Sequence, residues 1–408
     1  MQYRTDKKTG NKLSIIGFGC MRFPRNLTQT DINKTEQLIV KAVHDGINYF
    51  DTAFLYGGSE EALGLILDKN NLRDKIYLAT KLPIGKCKTY DDFDALFQIQ
   101  LNRLRTDYID YYLIHNIGDT HVWQRLCELG IEKWIRTKKE SGQIKNIGFS
   151  FHGIHDEFLK LLEVYDWDFC QIQYNYINTN YQAGTAGLKK AHEKGLPVII
   201  MEPLLGGKLA TGLPRKAVDI FKAANRSLTP AAWGLRWLWN QEEVTVVISG
   251  MNEISQLDDN IQTAQNAMPN MLTTAESETY DAVIKIIEAT YKIPCTGCNY
   301  CMPCPQKVNI PACFSAYNMS YAAGLFSGFH SYVTSTTLLN PLKNYAASNC
   351  IACGACEKKC PQHIPITKSL KKVTKRMEPF WLKTVLKLFM KMSSTGRVSK
   401  FKEPKQQK

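Results

Sequence analysis

The runs GINYFD (46–51), KIYLATK (75–81) and YIDYYLIH (108–115) decide the fold class of this chain. Each run is short and rich in β-branched or aromatic residues, which is typical of a buried strand. The segment DDFDALFQIQLNRLR (91–105) lies between two of them and repeats its apolar residues at spacings of three and four, as on one helix face. This alternation predicts βαβ units with parallel strands.

The same alternation continues on both sides of these three runs. The further strand candidates are SIIGFG (14–19), IKNIGFS (144–150), FCQIQYN (169–175), LPVIIME (196–202) and VTVVISG (244–250). Eight such units in about 250 residues predict an α/β fold of the closed (β/α)8 TIM-barrel type, rather than an open doubly wound sheet. No GxGxxG sequence follows the first run, so the Rossmann motif for dinucleotides is not indicated.

The length of 408 residues predicts one large domain with a smaller one. We expect a barrel over 1–290, a smaller, mainly helical C-terminal domain over 291–370 and a basic, partly disordered tail over 371–408. The formal net charge is +13, yet residues 368–408 hold 13 Lys or Arg against Glu378 and Glu403. The basic character therefore belongs to the tail and excludes no function of the barrel.

The N-terminal residues carry no secretory signal pattern, so we expect a cytoplasmic protein. The chain has 13 cysteines, which in a small secreted domain would indicate disulfides. Eight of them crowd into two short runs of a large chain, a distribution that indicates metal binding.

Polar side chains follow the predicted strands at their carboxyl ends. Asp51 ends the second run, Lys81 the third and His115 the fourth, and Tyr56 lies five residues beyond Asp51. In a barrel of this type the carboxyl ends of the strands form the active face. The sequence therefore predicts that these four side chains converge.

Reduction of a carbonyl by hydride transfer needs a proton donor for the developing alkoxide. A phenol such as Tyr56 has an ordinary pKa of about 10, and a neighbouring cation lowers it. Lys81 can supply that charge, Asp51 can orient Lys81, and His115 can hydrogen-bond the substrate oxygen. Taken singly, Asp51 and Lys81 could form a structural ion pair and His115 could be a core histidine.

Several longer motifs together resemble the aldo-keto reductase superfamily over roughly residues 1–290. They are LSIIGFGCMRFP, GINYFDTAFLYGGSEEALG, LATKLP, DYIDYYLIHN, IKNIGFSFHG, QIQYNYIN and ISGMNEISQLDDN. The resemblance implies a nicotinamide dinucleotide, NAD(P)H, bound across the barrel mouth, with Asp51, Tyr56, Lys81 and His115 as the catalytic tetrad.

The resemblance also implies cofactor contacts. Ser150 and Gln171 match positions that hold the carboxamide of the nicotinamide, and Asp259 and Asn260 match the pair that contacts the adenine.

The chain departs from the family pattern at two places. Met201 and Glu202 stand where most members have an aromatic residue that stacks on the nicotinamide, followed by a serine. Gly250 and Gln256, with Glu253 nearby, stand where NADPH-preferring members have cations for the 2′-phosphate. The first departure weakens or replaces the stacking. The second favours NADH or leaves the choice of cofactor open, and a barrel that only senses the redox state of nicotinamide is a further alternative.

The two cysteine runs predict two 4Fe–4S clusters in a ferredoxin-type domain. The second run has the spacing C-x2-C-x2-C-x3-C-P through Cys350, Cys353, Cys356 and Cys360. The first run, Cys295, Cys298, Cys301 and Cys304, is one residue shorter before its last cysteine. The fourth cysteine of such a run ligates the other cluster, so Cys360 would join the first three and Cys304 the second three. Structural zinc is the alternative.

The tail contains a basic amphipathic segment over 380–391. It could contact a membrane surface peripherally, dock an acidic partner, or pack on its own domain. No nucleic-acid motif accompanies the charge.

Together these features predict an NAD(P)H-dependent oxidoreductase that interconverts an aldehyde or ketone and an alcohol, with Tyr56 as proton donor. Two clusters beside a nicotinamide site suggest coupling of hydride chemistry to electron transfer, which would call for a redox partner protein. The alternative is an electron-transfer or redox-sensing subunit that binds nicotinamide and reduces no free carbonyl.

Overall fold

The computed structural model describes residues 1–26, 29–153, 155–290, 292–293, 295, 301–322, 324–336, 338, 344–360 and 364–379. The chain divides into two compact units, Met1–Ile287 and Glu288–Lys408. The predicted division at 290 and 370 stays a prediction, and the last described helix, Ile366–Met377, continues past the second boundary. The predicted amphipathic segment 380–391 lies outside the described residues.

Eight parallel strands close into a barrel in the first unit. In chain order they are β1 (Ile16–Gly19), β2 (Tyr49–Asp51), β3 (Tyr77–Leu82), β4 (Ile109–Ile117), β5 (Ile144–Phe151), β6 (Phe169–Gln173), β7 (Val198–Met201) and β8 (Val244–Ser249). Each strand pairs with the next in sequence, and β8 pairs with β1. Each strand lies within or overlaps one of the eight predicted runs, so the predicted TIM barrel is confirmed.

The structure describes twelve α-helices within residues 1–290. They are α1 (Ile32–His44), α2 (Ser59–Lys69), α3 (Tyr90–Leu104), α4 (Thr120–Glu128), α5 (Ile131–Glu140), α6 (His155–Leu161), α7 (Gly184–Glu193), α8 (Lys208–Thr211), α9 (Arg215–Ala224), α10 (Pro230–Trp239), α11 (Ile254–Gln265) and α12 (Thr274–Ala289). Local sequence sets where several begin. Thr89 and Asp92 form a capping box at α3, and Asp119 accepts a hydrogen bond from the Val122 amide at α4.

Alternation along the strands separates two buried apolar layers. Side chains that point outward pack under the helices in the larger core, and inward side chains fill the barrel. The inward cluster consists of Leu13, Tyr49, Ala79, Tyr111, Leu113, Phe169, Ile199, Val246 and Ile248. This cluster fills the barrel below the carboxyl ends of the strands. Polar residues lie closer to those ends, on the same inward faces of the strands.

The second unit is mainly helical, as predicted. Its helices are α13 (Ile310–Ala322), α14 (Leu325–Ser335) and α15 (Ile366–Met377). They bury a separate core that includes Phe314, Tyr332 and Val373. In the part of the chain that the structure describes, no helix combines the length and the apolar character needed to cross a membrane.

Candidate active site and cysteine-rich unit

The four predicted catalytic residues all come from the carboxyl-terminal side of the barrel strands. Asp51 is the last residue of β2, Lys81 lies near the end of β3 and His115 near the end of β4. Tyr56 lies in the loop between β2 and α2. Lys81 contacts Asp51 and Tyr56, and Tyr56 contacts His115. The strands therefore bring the four side chains together.

A buried ion pair anchors the site. The Lys81 Nζ atom lies 2.5 Å from Asp51 Oδ1 and donates a second hydrogen bond, of 2.8 Å, to the carbonyl oxygen of Thr52. The two charged side chains are 1% and 6% exposed. Burial lowers the pKa of Lys81, but Asp51 and Tyr56 outweigh it and raise that pKa above its ordinary value. Lys81 is therefore a fixed cation.

The phenol of Tyr56 lies against this cation. The Lys81 Nζ atom is 5.1 Å from the centre of the Tyr56 ring. Burial raises the pKa of Tyr56, while the charge of Lys81 and its hydrogen bond to the phenol lower it. The net shift is upward, whereas the sequence predicted only the lowering by Lys81. Tyr56 is consequently protonated at neutral pH.

His115 lies on the other side of Tyr56. The two rings meet edge to face, with centres 6.1 Å apart. Burial and the charges of Lys81 and His152 lower the pKa of His115 to about 3, so its imidazole is neutral. Its Nδ1 atom is buried and has no hydrogen-bond partner among the described residues. An orphaned ring nitrogen of this kind is unusual in a core histidine.

The two residues predicted to hold the carboxamide are buried on adjacent strands. Ser150 and Gln171 are register partners on β5 and β6. The Ser150 hydroxyl accepts a hydrogen bond of 2.8 Å from the Asn116 amide. The Gln171 Nε2 atom donates to Asp51 Oδ2 at 2.9 Å. Gln171 therefore also orients the Asp51 carboxylate, a contact that joins residues 120 positions apart.

The two residues predicted to contact the adenine lie on α11. Asp259 accepts a hydrogen bond of 2.7 Å from the Thr229 hydroxyl. Asn260 is buried and donates to the Ser249 hydroxyl at 3.1 Å. The nearby Gln256 side chain accepts from the Asn252 amide at 3.0 Å. No Lys or Arg occurs between residues 250 and 260.

The structure adds a residue that the sequence did not single out. Gln173 lies two positions after Gln171 on β6 and so faces the same interior side, nearer the carboxyl end. It is 2% exposed, and both polar atoms of its amide have no hydrogen-bond partner among the described residues. Its partner in register is Met201. A buried amide left in this state is a candidate for contact with a polar ligand.

Two cations near the barrel mouth, Arg22 and Lys208, were also not predicted from the sequence. The Arg22 guanidinium donates a 2.7 Å hydrogen bond to the carbonyl oxygen of Gly206. Gly206 and Gly207 both have positive φ, which glycine adopts without strain. Burial lowers the pKa of the adjacent Lys208, Glu202 raises it and Arg22 lowers it further. The signal in the sequence is LLGGK (204–208), a glycine pair followed by lysine.

Most of the predicted cysteine ligands of the second unit lie against its apolar core. Six of the eight predicted ligands pack against the core of that unit: Cys295, Cys301, Cys304, Cys350, Cys356 and Cys360. Cys353 is exposed, and Cys298 lies outside the described residues. Among the described residues no three metal-ligating side chains stand together within reach of one ion.

Cysteines of both runs pack against the same core. Burial raises the pKa of the Cys356 thiol, and the charges of Cys350 and Cys304 raise it further. The Ala352 amide donates a 3.4 Å hydrogen bond to Cys350 Sγ. Ala352 holds a φ of 57°, a left-handed conformation that costs a non-glycine residue about 1 kcal/mol or more. The loop after Cys350 therefore turns an N–H toward the sulfur.

Comparison with known proteins assigns both units. Residues 15–283 match the Aldo/keto reductase family, and residues 294–364 match the 4Fe-4S dicluster domain. The chain belongs to the aldo/keto reductase family. The predicted fusion of such a barrel to a ferredoxin-type 4Fe–4S domain is confirmed, and so is the predicted class of enzyme, an oxidoreductase of the aldo/keto reductase type.

Individual relatives are distant. An aldo-keto reductase of Mycobacterium sp. (strain KMS) is 31% identical over 153 residues, which are 38% of this chain and 50% of the relative. Probable aldo-keto reductase 1 of Glycine max is 28% identical over 293 residues, 62% of this chain and 81% of the relative. An aldo-keto reductase from Klebsiella pneumoniae, solved in complex with NADPH, superposes with a TM-score of 0.57 at 22% identity. That superposition covers 70% of this chain and 95% of the other, and it shows the shared fold.

Proposed function

We propose that this protein interconverts an aldehyde or ketone and the corresponding alcohol, with Tyr56 as the proton donor. The observation that carries the proposal is the buried Asp51–Lys81 pair held against Tyr56. A charge pair this deeply buried costs desolvation energy and adds little net stability. Its place beside a phenol and a neutral imidazole gives it a chemical role.

Tyr56 donates the proton in the direction of reduction. Burial keeps its pKa above the ordinary value, so the phenol carries its proton at neutral pH. When the proton leaves, the resulting phenolate lies beside the Lys81 cation, which stabilises that negative charge at close range. Asp51, which is itself held by Gln171, keeps Lys81 in place, and this arrangement requires no reorganisation during the reaction.

His115 orients the carbonyl group. Because its pKa is about 3, the imidazole is neutral and can donate one N–H to the substrate oxygen without giving up a full proton. A neutral donor also avoids a second positive charge next to Lys81. The substrate oxygen would then lie between Tyr56 and His115.

The barrel mouth fits a nicotinamide dinucleotide, which when bound would supply the hydride. The buried amide of Gln173 offers a donor and an acceptor that lack partners among the described residues. Ser150 and Gln171 are the further proposed contacts of the carboxamide, since the Gln171 carbonyl oxygen is not used by Asp51. Arg22 and Lys208, beside the glycine pair, are the proposed cations for the diphosphate.

We propose that NADH is preferred over NADPH, with Asp259 and Asn260 near the adenine. A 2′-phosphate is usually recognised by cationic, often bidentate, side chains. Residues 250–260 supply none and contribute Glu253 and Asp259 instead, while Asp258 is paired with Lys41 at 2.9 Å. The ribose end of the site would therefore repel an additional phosphate.

We also propose that the second unit holds two 4Fe–4S clusters. Eight thiols with ferredoxin spacing are a suitable donor set for two such clusters. The proposed ligands are Cys295, Cys298, Cys301 and Cys360 for one cluster and Cys350, Cys353, Cys356 and Cys304 for the other.

The cluster domain also supports a second candidate function. A 4Fe-4S dicluster domain handles single electrons, which simple carbonyl reduction does not require. In this alternative the barrel binds nicotinamide, and electrons pass to the clusters with no free carbonyl reduced.

Anaerobic measurements separate the two candidates. NADH is added to the purified protein with and without an electron-poor aldehyde such as 4-nitrobenzaldehyde. Oxidation of NADH that depends on the aldehyde, with stoichiometric alcohol formed, supports the first function. Bleaching of the cluster absorbance by NADH alone, with no alcohol formed from a panel of carbonyls, would replace it with the second.

A further inference from the structure

The loop of the second cysteine run reaches the surface. Ile351 is 65% exposed, and Ala352 and Cys353 are exposed beside it. Cys353 is the only one of the described cysteines classed as exposed. An apolar side chain and a ligating thiol therefore meet solvent at the same place.

Six exposed lysines lie on the turn that follows this loop and on helix α15, and we call them the basic rim. They are Lys358, Lys359, Lys368, Lys371, Lys372 and Lys375. None of them pairs with a carboxylate in the described part of the chain. Two lie on the turn between Cys356 and Cys360, and four lie on α15.

The two parts of the rim are joined by a hydrogen-bonded carboxylate. Glu357 accepts from the amide and the hydroxyl of Thr367, at 2.8 and 2.7 Å. This fixes the start of α15 next to the turn. The apolar face of α15, including Leu370 and Val373, is buried in the core of the unit, so its lysines point away from that core.

Negative charge is sparse in this region, where the partly exposed Glu357 is the one carboxylate near the described surface. Residues 344–360 and 364–379 contain two carboxylates, Glu357 and Glu378. Glu357 is bound by Thr367, and Glu378 is 5% exposed and accepts hydrogen bonds from Tyr332 and the Ser348 amide. The described surface around Cys353 is therefore positive and has a small apolar centre.

We propose that this surface docks an acidic, soluble one-electron carrier protein over the second cysteine run. The proposal rests on the two clusters of the proposed function. A small apolar centre within a charged rim is suited to transient electron-transfer encounters, which bury little area and rely on complementary charge for fast association. One electron passes per encounter: the carrier is oxidised by one electron and a cluster is reduced by one. No bond or proton changes in that step.

A charge-reversal variant tests the proposal in the full-length holoprotein. Lys368→Glu, Lys371→Glu and Lys372→Glu are combined, since acidic residues are tolerated in the first turns of a helix. The matched control reverses three exposed lysines of the barrel unit, Lys75, Lys189 and Lys216, which likewise have no ion pair among the described residues. Both triple variants change the net charge equally.

The probe is a purified acidic plant-type [2Fe–2S] ferredoxin. At low ionic strength its Kd for the rim variant should rise about tenfold or more, and the rate at which it reduces the clusters should fall by a similar factor. The parent and the control variant should bind ferredoxin with equal Kd. At high salt their tighter binding relative to the rim variant should disappear. Reduction by dithionite should be equal in all three proteins.

Four results would overturn the proposal. Equal loss in the rim and control variants would show that only net charge matters. Unchanged ferredoxin binding, with lost binding to phosphatidylserine vesicles, would assign the rim to a lipid surface instead. A parent protein that contains no iron would remove the proposed clusters and the docking proposal together, whereas iron present without ferredoxin binding would refute the docking proposal alone.

Discussion

Breaking the Asp51–Lys81 pair should destabilise the barrel more than the removal of both charges does. Lys81→Met removes a cation that is 1% exposed and leaves the Asp51 carboxylate with Gln171 as its remaining side-chain donor. Asp51→Asn leaves the Lys81 ammonium with the Thr52 carbonyl and a neutral amide. Because each single change leaves an uncompensated buried charge, each should cost about 3–5 kcal/mol in the free energy of unfolding.

The double variant Asp51→Asn, Lys81→Met leaves no charge in this place. It should be more stable than either single variant, and the coupling energy of the cycle should be about 3 kcal/mol or more. Urea unfolding followed by tryptophan fluorescence measures this in the barrel, because six of the seven tryptophans lie between residues 123 and 239. Additive effects, with each single change costing less than about 1 kcal/mol, would show an exposed surface pair and refute the buried site.

Three further predictions concern the cofactor and the clusters. Gln173→Leu should stabilise the nucleotide-free barrel by about 1–3 kcal/mol in urea unfolding, because it removes two buried polar atoms that have no partners among the described residues, and it should weaken NADH binding. Gln171→Leu should instead destabilise the barrel, because it removes the hydrogen bond to Asp51. Gln256→Arg should lower the Kd for NADPH about tenfold and leave that for NADH unchanged in fluorescence titrations, and an equal gain for both would contradict a 2′-phosphate contact. Cys304→Ser should lose about half of the bound iron, because Cys304 is a proposed ligand of one of the two clusters, whereas Cys313→Ser, at a buried cysteine outside the runs, should lose none.

The barrel and the convergence of the four side chains at its mouth were predictable because both depend on the alternation of strands and helices. Parallel strands such as Ile109–Ile117 are buried on both faces and read as continuous apolar runs. The strand ends then place Asp51, Lys81 and His115 on one face of any closed barrel. Fold and active face follow from that alternation alone.

Other features depend on contacts between distant residues and could not be read from the sequence. The hydrogen bond from Gln171 to Asp51 spans 120 positions. The missing partners of Gln173 become visible only when every neighbour is in place. The direction of the pKa shift of Tyr56 could not be predicted from the sequence either. The sequence identified Lys81, which lowers this pKa, but not the larger effect of burial, which raises it.

Replacement of Tyr56 by phenylalanine tests whether Tyr56 donates the proton. The measurement is the single-turnover rate of NADH oxidation by 4-nitrobenzaldehyde, together with the Kd for NADH. The rate should fall by a factor of about 10²–10⁴ with the Kd unchanged, since phenylalanine keeps the ring and removes only the donor. A variant that keeps the parental rate would show that Tyr56 is not the proton donor.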